Sequence, residues 1–140
     1  MAVETKKVKF ELAIAFVKNE KDLYYLVLET SEHSPHCGQW VAPTERIEPG
    51  ETPKYAAIRA MDEEAGIWGK IPSGPYTKEK AVEDGIIKHH YFGAELLDEP
   101  GYGDKQIVWF SADQILNLEM FGGKRIASYL PQIMMDMGLA

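Results

Sequence analysis

The residues best equipped for chemistry lie in EPGETPKYAAIRAMDEEAGI, positions 48 to 67, where Glu48, Glu51, Asp62, Glu63 and Glu64 surround one arginine, Arg59. Three adjacent acids near the end of a helix are locally unfavourable, because they repel one another at the negative end of the backbone dipole. A divalent cation would offset that cost, since hard ions such as magnesium prefer oxygen ligands and are held by a few carboxylates together with substrate phosphates. A solvated acidic helix face is the plain alternative.

The helix that must carry these acids has clear limits. Thr52 suits the N-cap, Pro53 the first helical position and Gly66 the left-handed exit. At about 100° per residue, Ala57, Ile58, Met61 and Ala65 fall on an apolar side, and Arg59, Ala60, Glu63 and Glu64 on another. Upstream, VKFELAIAFVK (8 to 18) alternates with a period of two and reads as a strand. Polar NEKD (19 to 22) and aromatic, branched LYYLVLET (23 to 30) then complete a hairpin. A polar loop leads to WVAP (40 to 43), a short strand stopped by Pro43, and TERIEPGE (44 to 51) contains a Pro-Gly turn.

Downstream, 68 to 85 is a charged strand or loop, and IIKHHYFGAELL (86 to 97) a strand through the middle of the sheet. DEPGYGDK (98 to 105) is an acidic turn-rich loop and QIVWF (106 to 110) a short strand. A capped helix starts at Ser111, and the segment from Gly122 to Ala140 reads as a final amphipathic helix. Met134, Met135 and Met137 are expected to pack.

Other candidates are weaker. His33, His36 and Cys37 could bind a soft metal, but no second ligand pair follows at zinc spacing, so a plain loop is expected. His89 and His90 must point to opposite faces of a strand, one expected to be buried and hydrogen-bonded, the other exposed. Trp40, Tyr91, Trp109 and Phe110 could stack on a base or sugar or could serve the core. Lys88, Lys105 and Arg46 could meet a phosphate, with solvated cations as the default.

The 140 residues, 45% hydrophobic and 11% aromatic, suit one domain, residues 1 to 140. A net charge of -7 argues against coating nucleic acid. A single cysteine excludes an intramolecular disulfide and fits a cytoplasmic setting. The N-terminal stretch lacks the uninterrupted apolar region of a signal peptide, and no apolar run is long enough to span a membrane.

The order of elements and the loop-helix segment resemble the Nudix hydrolases, the MutT-like family, over most of the chain. The family signature is a glycine, five residues, a glutamate, seven residues, then Arg-Glu-apolar-any-Glu-Glu-any-Gly-apolar. Glu51, Arg59, Met61, Glu63, Glu64, Gly66 and Ile67 match it at the family spacing, after a Trp-x-x-Pro lead-in at Trp40. Glu45 stands in place of the opening glycine, Thr44 in place of the glycine before it, and Ala60 in place of the glutamate after the arginine.

The resemblance implies an α+β fold in which a mixed sheet lies between helices (α/β/α). It implies Mg2+- or Mn2+-dependent hydrolysis of the diphosphate linkage in a nucleoside diphosphate derivative. By the same likeness Glu64 and Glu63 are metal ligands and catalytic, the Thr44 carbonyl is a further ligand, Arg59 orients a neighbouring glutamate and Glu51 supports the loop. Glu45 either joins the acids or points to solvent. Trp40, Tyr91 and Trp109 become candidate substrate contacts, and a homodimer follows by analogy with many members.

A methyl group at Ala60 can neither bind metal nor act as a base, and loss of a general base typically costs about 10²- to 10⁴-fold in rate. Three explanations follow: the base comes from elsewhere, with Asp104 first and Glu99 and Asp98 behind it; the fold is kept as a module that binds a nucleotide or a protein partner; or the alanine replaces an original glutamate.

Overall fold

The structure, a computed structural model, describes residues 7–140. The expected absence of a leader falls partly on residues 1 to 6, which lie outside the described residues. The frame is a mixed sheet centred on β1 (Val8–Lys18) and β7 (Gly85–Asp98), which run parallel. The alternation in β1 holds only in its first half, because Ala13 through Val17 are all buried. A strand buried on both faces has layers on both sides.

β1 and β2 (Leu23–Leu28) form the expected hairpin. At its turn, Asn19 Oδ1 accepts the N–H groups of Lys21 and Leu23 at 2.9 and 3.0 Å. β3 (Trp40–Val41) and β8 (Ile107–Ser111) pair with β2, and β4 (Thr44–Arg46) pairs with β1. The outer edge of β7 takes β5 (Trp68–Lys70) and β6 (Tyr76–Val82), so the charged stretch expected as strand or loop supplies two strands.

Helix α1 (Pro53–Ala60) packs against β1, β4 and β7, while α2 (Ala112–Asn117) and α3 (Leu130–Asp136) pack on each other. The α+β class with its mixed sheet and flanking helices is therefore present. α2 opens with a full capping box between Ser111 and Gln114. The expected long final helix is corrected. Gly122 and Gly123 take positive φ and turn a small hairpin of β9 (Met120–Phe121) and β10 (Lys124–Arg125). The helix begins only at Leu130, where Pro131 occupies its first turn.

One further expectation is corrected in part. Of the expected apolar side, Ala57, Met61 and Ala65 are buried, together with Ala56 and Ala60, while Ile58 is 39% exposed. The small alanines Ala56 and Ala57 join the hydrophobic core in place of the isoleucine. Trp40 is also a core residue, 3% exposed, with its indole N–H donating to the Phe121 carbonyl at 3.0 Å. Tyr91, 6% exposed, sits among Phe16, Tyr76, His89 and Tyr129, and burial pushes its hydroxyl up to about 12. Neither ring has a free face for a ligand.

Candidate active site

Thr52 caps α1 by accepting the Tyr55 N–H at 3.1 Å, as its position suggested. The helix does not stop at Ala60. It widens into a π turn, Met61–Ala65, and closes at Gly66 with φ 66°. π turns inside helices recur at functional sites. Here the turn carries Asp62, Glu63 and Glu64.

The carbonyls at the end of this turn have no partners within the helix. The loop after β7 supplies them: Gly101 N–H donates to Gly66 O at 2.9 Å, Asp104 to Glu63 O at 2.7 Å and Lys105 to Glu64 O at 3.0 Å. The two backbones approach so closely that a Cβ on Gly103 would lie 2.5 Å from Ala65 C and 2.6 Å from Glu64 O. Glycine at 103 therefore fixes where Asp104 and Lys105 stand.

Arg59 braces the acids from the other side. Its Nε and Nη2 donate to the two oxygens of Glu51 at 2.9 and 3.0 Å, a bidentate pair. Nη2 also donates to the Arg46 carbonyl at 2.9 Å. Nη1 reaches Glu45 Oε2 at 3.1 Å and Glu63 Oε2 at 3.4 Å. The hydrogen bonds from Arg59 hold the Glu51 carboxyl below its ordinary value, and Glu51 in turn accepts the Glu48 N–H at 3.0 Å. Glu45 therefore faces the acids instead of solvent; burial raises its pKa, with Glu63 adding to the shift.

Glu64 is the innermost acid, 5% exposed. Its Oε2 accepts the Thr44 N–H at 2.8 Å and its Oε1 pairs with the Lys105 ammonium. Burial outweighs these contacts and lifts its pKa to about 7. Lys105 also donates to Glu29 Oε1 at 2.8 Å. Burial alone would raise the Glu29 pKa, but hydrogen bonds from Lys105 and from the Ser31 and Thr30 N–H groups bring it below its ordinary value.

The structure thus brings Thr44, Glu45, Glu51, Arg59, Glu63 and Glu64 together, with Asp104 tied to Glu63 through its backbone. Asp98 and Glu99 are exposed. Trp109 is 51% exposed on β8 and packs one side on Tyr25. His33 and Cys37 are exposed, and the His36 ring rests against Tyr129. His90 is buried between Glu11 and Thr77, whereas His89 is half-buried against Tyr91, not exposed. Sequence reasoning missed Glu29 and the burial of Lys105. A lone acid closing an apolar strand was the only trace of the first, and the second had none.

The NUDIX domain family model matches residues 10–130, so the chain belongs to the Nudix family, whose members act generally as hydrolases. Solved structures agree in fold. A MutT protein from Methanosarcina mazei Go1 superposes with a TM-score of 0.72 at 20% identity, covering 98% of this chain and 96% of that one. A NUDIX hydrolase from Nitrosomonas europaea gives 0.71 at 17% identity, covering 96% and 89%. The E. coli ORF135 protein gives 0.70 at 20% identity, covering 93% and 89%.

Proposed function

We propose that the chain, as one Nudix unit over residues 1–140, hydrolyses the diphosphate linkage of a nucleoside diphosphate derivative with Mg2+ or Mn2+. The observation that carries this reading is the buried Glu64, fixed by the Thr44 N–H and flanked by Glu63 and Glu45. The donors suit a hard cation in kind, because they are carboxylate oxygens whose like charges press on one another. Among the described residues no three metal-binding side chains enclose one point. Magnesium needs only one or two carboxylates, with water and substrate phosphates completing its shell.

Glu63 and Glu64 would hold the ion. The Thr44 carbonyl would join them, because the Thr44 N–H points to Glu64 instead of into the ladder with β1 and the two groups of an extended residue share a direction. When bound, the ion would neutralise diphosphate charge and lower the pKa of a water molecule. Arg59 keeps Glu63 and Glu45 in place, and Glu51 keeps Arg59 in place. The Asp104 carboxylate, exposed on the loop whose backbone is tied to Glu63, would take the proton from the water that attacks the diphosphate, the role that Ala60 cannot fill, with the cleaved phosphate leaving as its anion. Trp109 offers an open ring face to a base or sugar. A small-molecule nucleotide derivative, a cytoplasmic setting and a homodimer complete the proposal. Among the described residues no helix is long and apolar enough to cross a membrane.

A panel of nucleoside diphosphate derivatives assayed with Mg2+ and Mn2+ tests the reading. Turnover of at least one class that disappears in EDTA is expected. A second reading, a binding module without turnover, draws on Ala60, which is fully buried and supplies no acid. It predicts ligand-dependent thermal stabilisation with no product, and no gain from Ala60→Glu.

A further inference from the structure

Lys105 is unusual for a loop lysine. Its side chain is only 15% exposed, and the carboxylates it contacts, Glu29 and Glu64, are 10% and 6% exposed. Lysine is normally kept at the surface by its hydration. This ammonium lies between an acid just after β2 and an acid on the π turn, while its own N–H is anchored to the Glu64 carbonyl. The partners are 76 and 41 positions away in sequence, so the fold and not local attraction assembles the cluster.

We propose that Lys105 is a resident cation of this site, which pairs with Glu64 when no divalent ion is bound and competes with that ion for the carboxylate. Glu64 has one oxygen committed to Thr44 and the other to Lys105, so an incoming ion must displace or share the ammonium. The missing carboxylate at Ala60 removes the neighbouring ligand that would help the ion win. Glu29 gives the displaced ammonium somewhere to stay, so the exchange gives up one ion pair and keeps the other. Lys105 is a positioning residue on this account, and it sets how much divalent ion the protein holds at rest.

The inference rests on the reading of Glu64 as a metal ligand, and its test separates the two. Mn2+ binding is measured calorimetrically on the full chain at pH 8.5 without substrate, with thermal unfolding alongside. Removing one partner of a buried pair leaves a charge that strongly favours a replacement cation, so Lys105→Met should bind Mn2+ about a hundredfold more tightly than the native chain. Lys105→Arg should stay close to native, and the melting temperature of Lys105→Met should rise more steeply with Mn2+.

If Lys105→Met does not fold, Lys105→Gln with Glu29→Gln keeps the charge balance, frees Glu64 of its ammonium and should show a smaller gain of the same sign. Unchanged or weaker binding in Lys105→Met, or in the double variant where Lys105→Met does not fold, overturns the inference. If Glu64→Gln abolishes native binding in that case, the ligand reading survives alone. A gain that persists after adding Glu64→Gln overturns both.

Discussion

Gly103→Ala is expected to detach the loop that carries Asp104 and Lys105 from the end of the π turn. The added Cβ would overlap the Gly66 N–H and lie 2.5 Å from Ala65 C and 2.6 Å from Glu64 O, all of them backbone atoms. No side chain can rotate away to relieve this, so the loop must lift. Lifting breaks the hydrogen bonds of 2.9, 2.7 and 3.0 Å from Gly101, Asp104 and Lys105. At about 1 kcal/mol net for each bond, with about 1–3 kcal/mol of overpacking for any part that stays in place, the loss is about 3–5 kcal/mol. For a chain of this size that corresponds to a fall of about 10–15 °C in melting temperature. Thermal unfolding measures the loss, and amide hydrogen exchange at 101, 104 and 105 reports whether the loop has left. A fall under about 2 °C with those amides still protected would refute the close approach as the device that positions Lys105.

Arg59→Lys should cost about 2–4 kcal/mol in urea unfolding, because an ammonium cannot reproduce the fork that serves Glu51, Glu45, Glu63 and the Arg46 carbonyl. Ala60→Glu places a carboxylate where the methyl is fully buried. Its melting temperature should fall in EDTA and recover with Mn2+, with turnover rising by orders of magnitude if that position has lost its acid; recovery without turnover would favour a binding module. Glu64 has a folded pKa raised from 4.5 to about 7 by burial. Between those values the folded chain keeps a proton that the unfolded chain has released, so this group's contribution to stability falls as pH rises through the window and levels off above it. Glu29, lowered in the fold, works in the opposite sense, so stability curves of the native chain and Glu64→Gln from pH 4 to 8 should differ by the Glu64 slope alone. Parallel curves would contradict the shift.

The helix limits, the first hairpin and the long β7 were legible because each has a local cause: Thr52, Pro53 and Gly66 set the helix, and Asn19 sets the turn. The match to the family box identified Arg59, Glu51, Glu63 and Glu64 as a group; Arg59 contacts Glu51 and Glu63, while the Glu64 carboxylate contacts the Thr44 N–H and Lys105. Periodicity placed Ala57, Met61 and Ala65 inside but misplaced Ile58, because isoleucine outweighs alanine on any hydrophobicity scale while the core takes Ala56 and Ala57. Trp40 and Tyr91 were candidates for both the core and a ligand because an aromatic ring can serve either, and their burial places them in the core. The Lys105 cluster was illegible for a topological reason. Glu29 and Lys105 become neighbours only through the pairing of β2 with β8, and no spacing records that.

Phosphorus NMR of product release from the panel of nucleoside diphosphate derivatives, comparing the native chain with Glu64→Gln under saturating Mg2+, decides whether Glu64 serves metal-dependent diphosphate hydrolysis. Cleavage at the diphosphate by the native chain is expected, with a loss of at least about two orders of magnitude in Glu64→Gln, the scale expected for removing a principal catalytic group. Equal turnover by the two proteins, or cleavage that continues undiminished in EDTA, would contradict that role.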